Sequence, residues 1–198
     1  MNRILKKIGL VFFLATMQLL TSCSKTEDPV PEADYFMKFK VNGDWVNYPV
    51  GEFHSVVFFY DSNSGLYSAL IQALGPGSTG TSDFFSITLW SEAALEEKTY
   101  RLQEGVRAYE NVFLPSLNFT RSDLQGNMYN AVLLRQNYPN ISIPDEGSLT
   151  LTHIGSDLIE GTFEANLYGP ISATTGRGNE ELKVTEGSFR MKLIVNIP

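Results

Sequence analysis

The chain has 198 residues, with 15 basic and 22 acidic side chains and a net charge of −7. An acidic surface repels nucleic acid and anionic lipid, so neither is an expected partner. A lone cysteine excludes an intrachain disulfide, and 13 Phe, nine Tyr and two Trp are many for one chain and make the aromatic side chains the best functional lead.

Arg3, Lys6 and Lys7 precede an apolar run over residues 8–20. The run is shorter than the roughly 20 residues a helix needs to cross a bilayer. Followed by the small residues Thr21 and Ser22, it describes a signal peptide over 1–22. Leu20-Thr21-Ser22-Cys23 resembles the bacterial lipobox, which implies acylation of Cys23 and cleavage just before it. Two or three acyl chains on one cysteine would hold the protein on a membrane, where a single chain binds marginally. Residues 24–34 are polar and acidic, with Pro29 and Pro31, and read with Cys23 as a flexible tether over 23–34. A serine and acidic residues behind the lipidated cysteine look like the surface-export signals of Bacteroidetes lipoproteins. The expected location is the outer membrane, lipid-anchored and surface-exposed.

Residues 35–198 are expected to form a single domain, long enough to bury roughly 68–70% of its unfolded surface. Period-two alternation dominates it. Tyr35, Met37, Phe39 and Val41 alternate with Phe36, Lys38 and Lys40, and Asn42-Gly43 marks a hairpin turn into Trp45 and Tyr48. Residues 56–60 are apolar on both faces, and residues 66–74 and 84–90 continue the pattern. Residues 91–98 are the one helical candidate, with Ser91 as its cap. Strands follow at 100–102, 112–120 and 128–135, and Pro139 and Pro144 make 136–147 a loop. Residues 148–152 and 158–168 are strands, with Gly161 at a bulge. A polar loop is expected over 172–179, and a last strand around 189–195 closes the fold. About ten strands with at most one short helix predict an all-β domain, an antiparallel β-sandwich or a flattened β-barrel.

Phe39-Lys40-Val41-Asn42-Gly43 with Trp45, Ile159-Glu160-Gly161-Thr162-Phe163 and Gly187-Ser188-Phe189 resemble a family of small Bacteroidetes-type lipoprotein β-domains of unknown function. The likeness covers both ends of the domain and implies an all-β fold on a lipid tether. It implies no catalytic residues, since the motifs are strand and turn residues.

The chemical motifs are sparse. Gly75-x-Gly77-x-x-Gly80 has the form of a dinucleotide fingerprint, but a strand follows it where a helix is required. Asp61-x-Asn63-x-Gly65 begins like a calcium loop, and turn chemistry explains it equally well. His54 and His153 are the only histidines, and Glu92, Glu96 and Glu97 cluster near the helical candidate. No metal, cofactor or catalytic residue is expected. Trp45, Trp90 and Tyr138 are the candidate ligand-binding residues, because aromatic faces stack on sugar rings. The expected function is a non-catalytic surface module that binds a glycan or an envelope protein. A lipocalin-like carrier of a small apolar ligand would instead need an internal cavity. A hydrolase would need a cleft with His54 or His153 beside a carboxylate.

Overall fold

A computed structural model describes residues 35–49, 55–78, 80–102, 105–109, 112–132 and 146–196. The expected signal peptide, Cys23 and the tether lie outside the described residues, as do His54, Tyr138 and residues 136–145. Everything described belongs to one compact unit, Ala33–Pro198.

The alternating segments form strands. β1 (Phe36–Val41) and β2 (Asp44–Pro49) make a hairpin, and β3 (Ser55–Asp61), β4 (Leu66–Leu74) and β5 (Phe84–Ser91) follow. After β6 (Thr99–Arg101), β7 (Gly105–Tyr109) and β8 (Val112–Pro115) form a separate two-stranded sheet among the described residues. β9 (Leu117–Ser122), β10 (Met128–Asn130) and β11 (Gly147–Ile154) lead to a long hairpin of β12 (Leu158–Ser172) and β13 (Gly176–Asn196).

The strand order is β2-β1-β13-β3-β4-β5-β9-β10-β12-β11-β6, and β12 also pairs with β13. The path from β13 through β3, β4, β5, β9 and β10 therefore returns to β12 and closes a ring. The ring is flattened into two layers. One is β2-β1-β13-β12-β11-β6, and the other is β3-β4-β5-β9-β10. The long hairpin serves both: Lys192 to Asn196 of β13 pair in parallel with β3, and Tyr168 of β12 pairs with Asn130 of β10. The β13–β3 joint is the one parallel pairing among described strands, and it makes the last strand the closing one.

Aromatic rings fill the space between the layers. Phe39 of β1 lies 4.6 Å from Phe85 of β5, and Phe163 of β12 stacks on Phe85 at 5.1 Å. Phe119 and Phe189 complete the cluster around Phe163, at 6.3 and 6.4 Å. All five are buried, as are Ala165 and Leu167 on the same face of β12 as Phe163. Asn42 and Gly43 both have positive φ, 51° and 96°, which suits a two-residue hairpin turn whose twist matches the strands.

Four local expectations are corrected. Residues 91–98 are not helical. The Ser91 hydroxyl accepts a bond from the Ala93 N–H as a cap would, but the Tyr100 hydroxyl engages the backbone of Glu96, which draws the segment toward the sheet instead of a helical turn. Residues 112–120 are two strands, because Pro115 supplies no donor and the buried Ser116 turns to donate to the Arg101 carbonyl. β10 ends at Asn130, where the Arg177 guanidinium takes the carbonyls of Asn130 and Ala131. The loop at 172–179 shrinks to a turn over 173–175, in which the Ser172 hydroxyl accepts from the N–H groups of Thr174 and Thr175.

Candidate functional site

The outer face of the layer β2-β1-β13-β12-β11-β6 carries the polar half of each strand's alternation. Register places these side chains in rows running across the strands. One row is Asn47, Lys38, Ser188, Thr162, Thr150 and Thr99. It crosses six strands, about 24 Å at the ordinary interstrand spacing. Two of its hydroxyls engage each other: Thr99 Oγ1 and Thr150 Oγ1 are 2.8 Å apart.

A neighbouring row begins with Trp45, opposite Lys40, which is opposite Thr185. Trp45 is 57% exposed. The Lys40 ammonium lies 4.9 Å from the centre of its ring and 2.7 Å from Glu186 Oε1. Lys40 thus fixes one face of the indole and is itself fixed by Glu186. Glu186 has φ of 52° and lies where β13 gains a residue against both β1 and β12. A glycine normally takes this left-handed position in a bulge. Here a glutamate occupies it, and the bulge aims its carboxylate at Lys40.

Two shallow grooves lie side by side on this face and share Ser148 and Glu164. The larger, of about 460 Å³, is edged by Arg101, Glu146, Asn166, Lys183 and Thr185. The smaller, of about 430 Å³, runs over Thr150, Thr162, Glu186 and Ser188. Tyr168 continues the β12 side of the face, with its hydroxyl 3.4 Å from Glu181 Oε1. Burial, together with the Glu181 charge, pushes its phenol pKa up. A third row ends the face, where Arg190 pairs with Glu160 at 3.4 Å and Glu160 stands opposite His153. The face thus offers hydroxyl, carboxylate, amide and cationic groups at strand spacing, with an aromatic ring at one edge. It can satisfy a ligand rich in hydroxyls.

The expected site residues separate. Trp90 lies on the opposite outer face, on β5 of the other layer, where it is half-buried beside Ser68. Trp45 and Trp90 therefore do not form one site. Tyr138 is outside the described residues. His153 does lie beside a carboxylate, with Nδ1 3.7 Å from Glu97 Oε1, but both side chains are about half exposed and lie outside both grooves. Glu97 also accepts the Ile154 N–H, which gives it a structural task. Asp61 is spent on its turn, bonded by the Ser64 hydroxyl at 2.7 Å and the Asn63 N–H at 3.0 Å. The Gly75–Gly80 segment joins β4 to β5, and a Cβ at Gly75 would collide with the Asp83 carboxylate. Among the described residues, no three of His, Cys, Asp and Glu lie close enough to hold a metal ion.

Sequence reasoning missed Lys40, Glu186, Thr162 and Ser188 as a set. Their signal was present as the polar half of the alternation, but their grouping depends on strands far apart in sequence. No protein-family model matches the chain, no curated protein matches it, and no solved structure matches it.

Proposed function

We propose that this protein is a non-catalytic cell-envelope binding module whose β2-β1-β13-β12-β11-β6 face takes a glycan. The observation that carries the reading is Trp45: a large aromatic side chain, held by Lys40 at the edge of a hydroxyl-lined face, and 57% exposed. A surface ring of this kind stacks on a sugar, and the neighbouring Ser, Thr and Glu groups meet its hydroxyls. The two grooves extend that contact over several sugar units.

In this reading the chain is exported, loses residues 1–22, and is anchored in the outer membrane through lipid on Cys23, with the domain displayed outward. The lipobox-like Leu20-Thr21-Ser22-Cys23 supports the anchor. The acidic net charge favours a neutral ligand, or one bearing positive groups, over a polyanion. The aromatic cluster between the layers occupies the space an internal carrier would need, which favours a surface site over a lipocalin-like one.

A glycan array probed with the soluble, unlipidated chain, residues 24–198, tests the proposal. The expected result is selective binding to a defined subset of neutral glycans. Signal on no glycan at all would refute the sugar reading.

A further inference from the structure

Resting on the glycan reading above, we infer that the ligand is an internal stretch of a linear, neutral polysaccharide, about five sugar units long at the spacing of the strands, laid across them from Trp45 to Arg101. The face reads the middle of a sugar chain and not its end.

One row of the face joins the aromatic edge to both grooves. Trp45 of β2 stands opposite Lys40 of β1, and Lys40 opposite Thr185 of β13. At the bulge, Glu164 of β12 faces Thr185 and Glu186 together, because Phe163 pairs with Gly187 while Ala165 pairs with Val184. Glu164 then stands opposite Ser148 of β11, and Ser148 opposite Arg101 of β6. Glu164 and Ser148 are the two residues that both grooves share, so the grooves meet along this row. Thr162 flanks it on one side and Asn166 on the other, each two residues from Glu164 along β12.

Spacing sets the direction and the length. The row crosses six strands, about 24 Å, and a pyranose with its linkage spans about one interstrand gap of 4.8 Å. An extended chain of about five units therefore keeps step with successive strands. A chain running along a strand would meet side chains on the same face only about every 6.8 Å, out of step with its rings. It would also leave Trp45 two strands away from the nearest groove wall on β13.

The ends of the row lie open. Trp45 is 57% exposed at one end, and Arg101 is exposed at the other. A site for a terminal sugar encloses the last ring in a concave pocket that covers most of its surface. Here the grooves are shallow and lie on a sheet face, so a chain passes over both ends of the row. Trp45 stacks on one ring. The hydroxyl, carboxylate and guanidinium groups further along the row meet the hydroxyls of the next rings, and each added unit adds a modest contact.

Calorimetric titration of residues 24–198 with neutral glucan, xylan, mannan and galactan fragments, from the single sugar to about eight units, tests the inference. In the series that binds, affinity is expected to climb about 100-fold between two units and five and then to level off. Reduction of the last ring of the longest fragment to its open-chain alditol is expected to leave affinity unchanged. Arg101→Ala is expected to weaken the five-unit fragment about tenfold and to leave the two-unit fragment unchanged, since two units seated on Trp45 do not reach β6. Equal affinity for two units and five overturns the inference and leaves the sugar reading standing. So does loss of binding when the chain end is reduced. An Arg101→Ala chain that folds and holds the five-unit fragment as tightly as the native chain overturns the path to β6. Binding to no fragment of any series refutes the sugar reading and this inference with it.

Discussion

The Phe189 ring lies over Gly161: a Cβ added to that glycine would come within 2.6 Å of Phe189 Cζ. The arrangement is reciprocal. Gly161 pairs with Phe189 across β12 and β13, and two residues on, Phe163 pairs with Gly187, which the Phe163 ring covers in the same way. Each aromatic ring occupies the space its partner's missing side chain leaves open, and the two rings then join the buried cluster between the layers. The two Gly-x-Phe motifs are thus one packing device written twice. Gly161→Ala should force Phe189 out of its place and cost about 1–3 kcal/mol, read from the urea midpoint. A change below a few tenths would show that the ring moves aside freely.

The Tyr48 hydroxyl donates to Asp83 Oδ1 at 2.8 Å inside the fold. Asp83 is buried, with φ of 51°, and its backbone also accepts from the Gly75 N–H. Tyr48→Phe strands a buried carboxylate oxygen and should cost about 1–3 kcal/mol. Burial, and then Asp83, raise the Tyr48 phenol pKa above its ordinary value. Above about pH 10 the unfolded chain gives up this proton while the folded one keeps it, so stability falls as pH rises. The alkaline slope of unfolding free energy against pH should be shallower in Tyr48→Phe than in the native chain.

Asp61 behaves oppositely. The Ser64 hydroxyl, and then the Asn63 N–H, bond its carboxylate and lower its pKa. Its contribution is present above the ordinary carboxylate value of about 3.9 and is lost as pH falls through the lower folded value. A carboxyl-carbon NMR titration should place Asp61 below the ordinary range, and Ser64→Ala should move it up. An unchanged midpoint in Ser64→Ala would remove the hydroxyl from the account.

Glu186 combines a left-handed backbone with an exposed ion pair. Relieving the backbone gains about 1 kcal/mol or somewhat more, and losing the surface pair costs about 0.2–1 kcal/mol. Glu186→Gly should therefore be more stable than the native chain by about 0.5 kcal/mol, while Glu186→Ala, which loses the pair and keeps the backbone, should be slightly less stable. Glycan binding should weaken in both, because Lys40 loses its anchor. If the two variants shift in stability together, the backbone is not the source.

Local pattern carried most of the fold. Alternation in residues 36–41 and 158–168 reported which side chains face inward, and Asn42-Gly43 reported its turn. The sequence misled where a side chain from elsewhere decided the backbone: Tyr100 takes Glu96 away from a helix, and Arg177 ends β10. The site was legible only in pieces. Trp45 stood out as an aromatic, but so did Trp90, and nothing near either residue tells which layer its strand joins. That follows from the ring closure, in which β13 meets β1, β3 and β12. The rows of Ser, Thr and charged residues exist only after those pairings are made.

The most direct test of the surface reading compares two tryptophans on opposite faces. Calorimetric titration of a glycan identified on the array would be run on the native chain, Trp45→Ala and Trp90→Ala, each checked for folding by its urea midpoint. The account predicts that Trp45→Ala keeps its stability within about 0.5 kcal/mol, as an exposed substitution should, and binds at least tenfold more weakly. Trp90→Ala should lose stability and keep its affinity. Undiminished binding by Trp45→Ala, with loss in a folded Trp90→Ala, would place the site on the other layer and contradict the account.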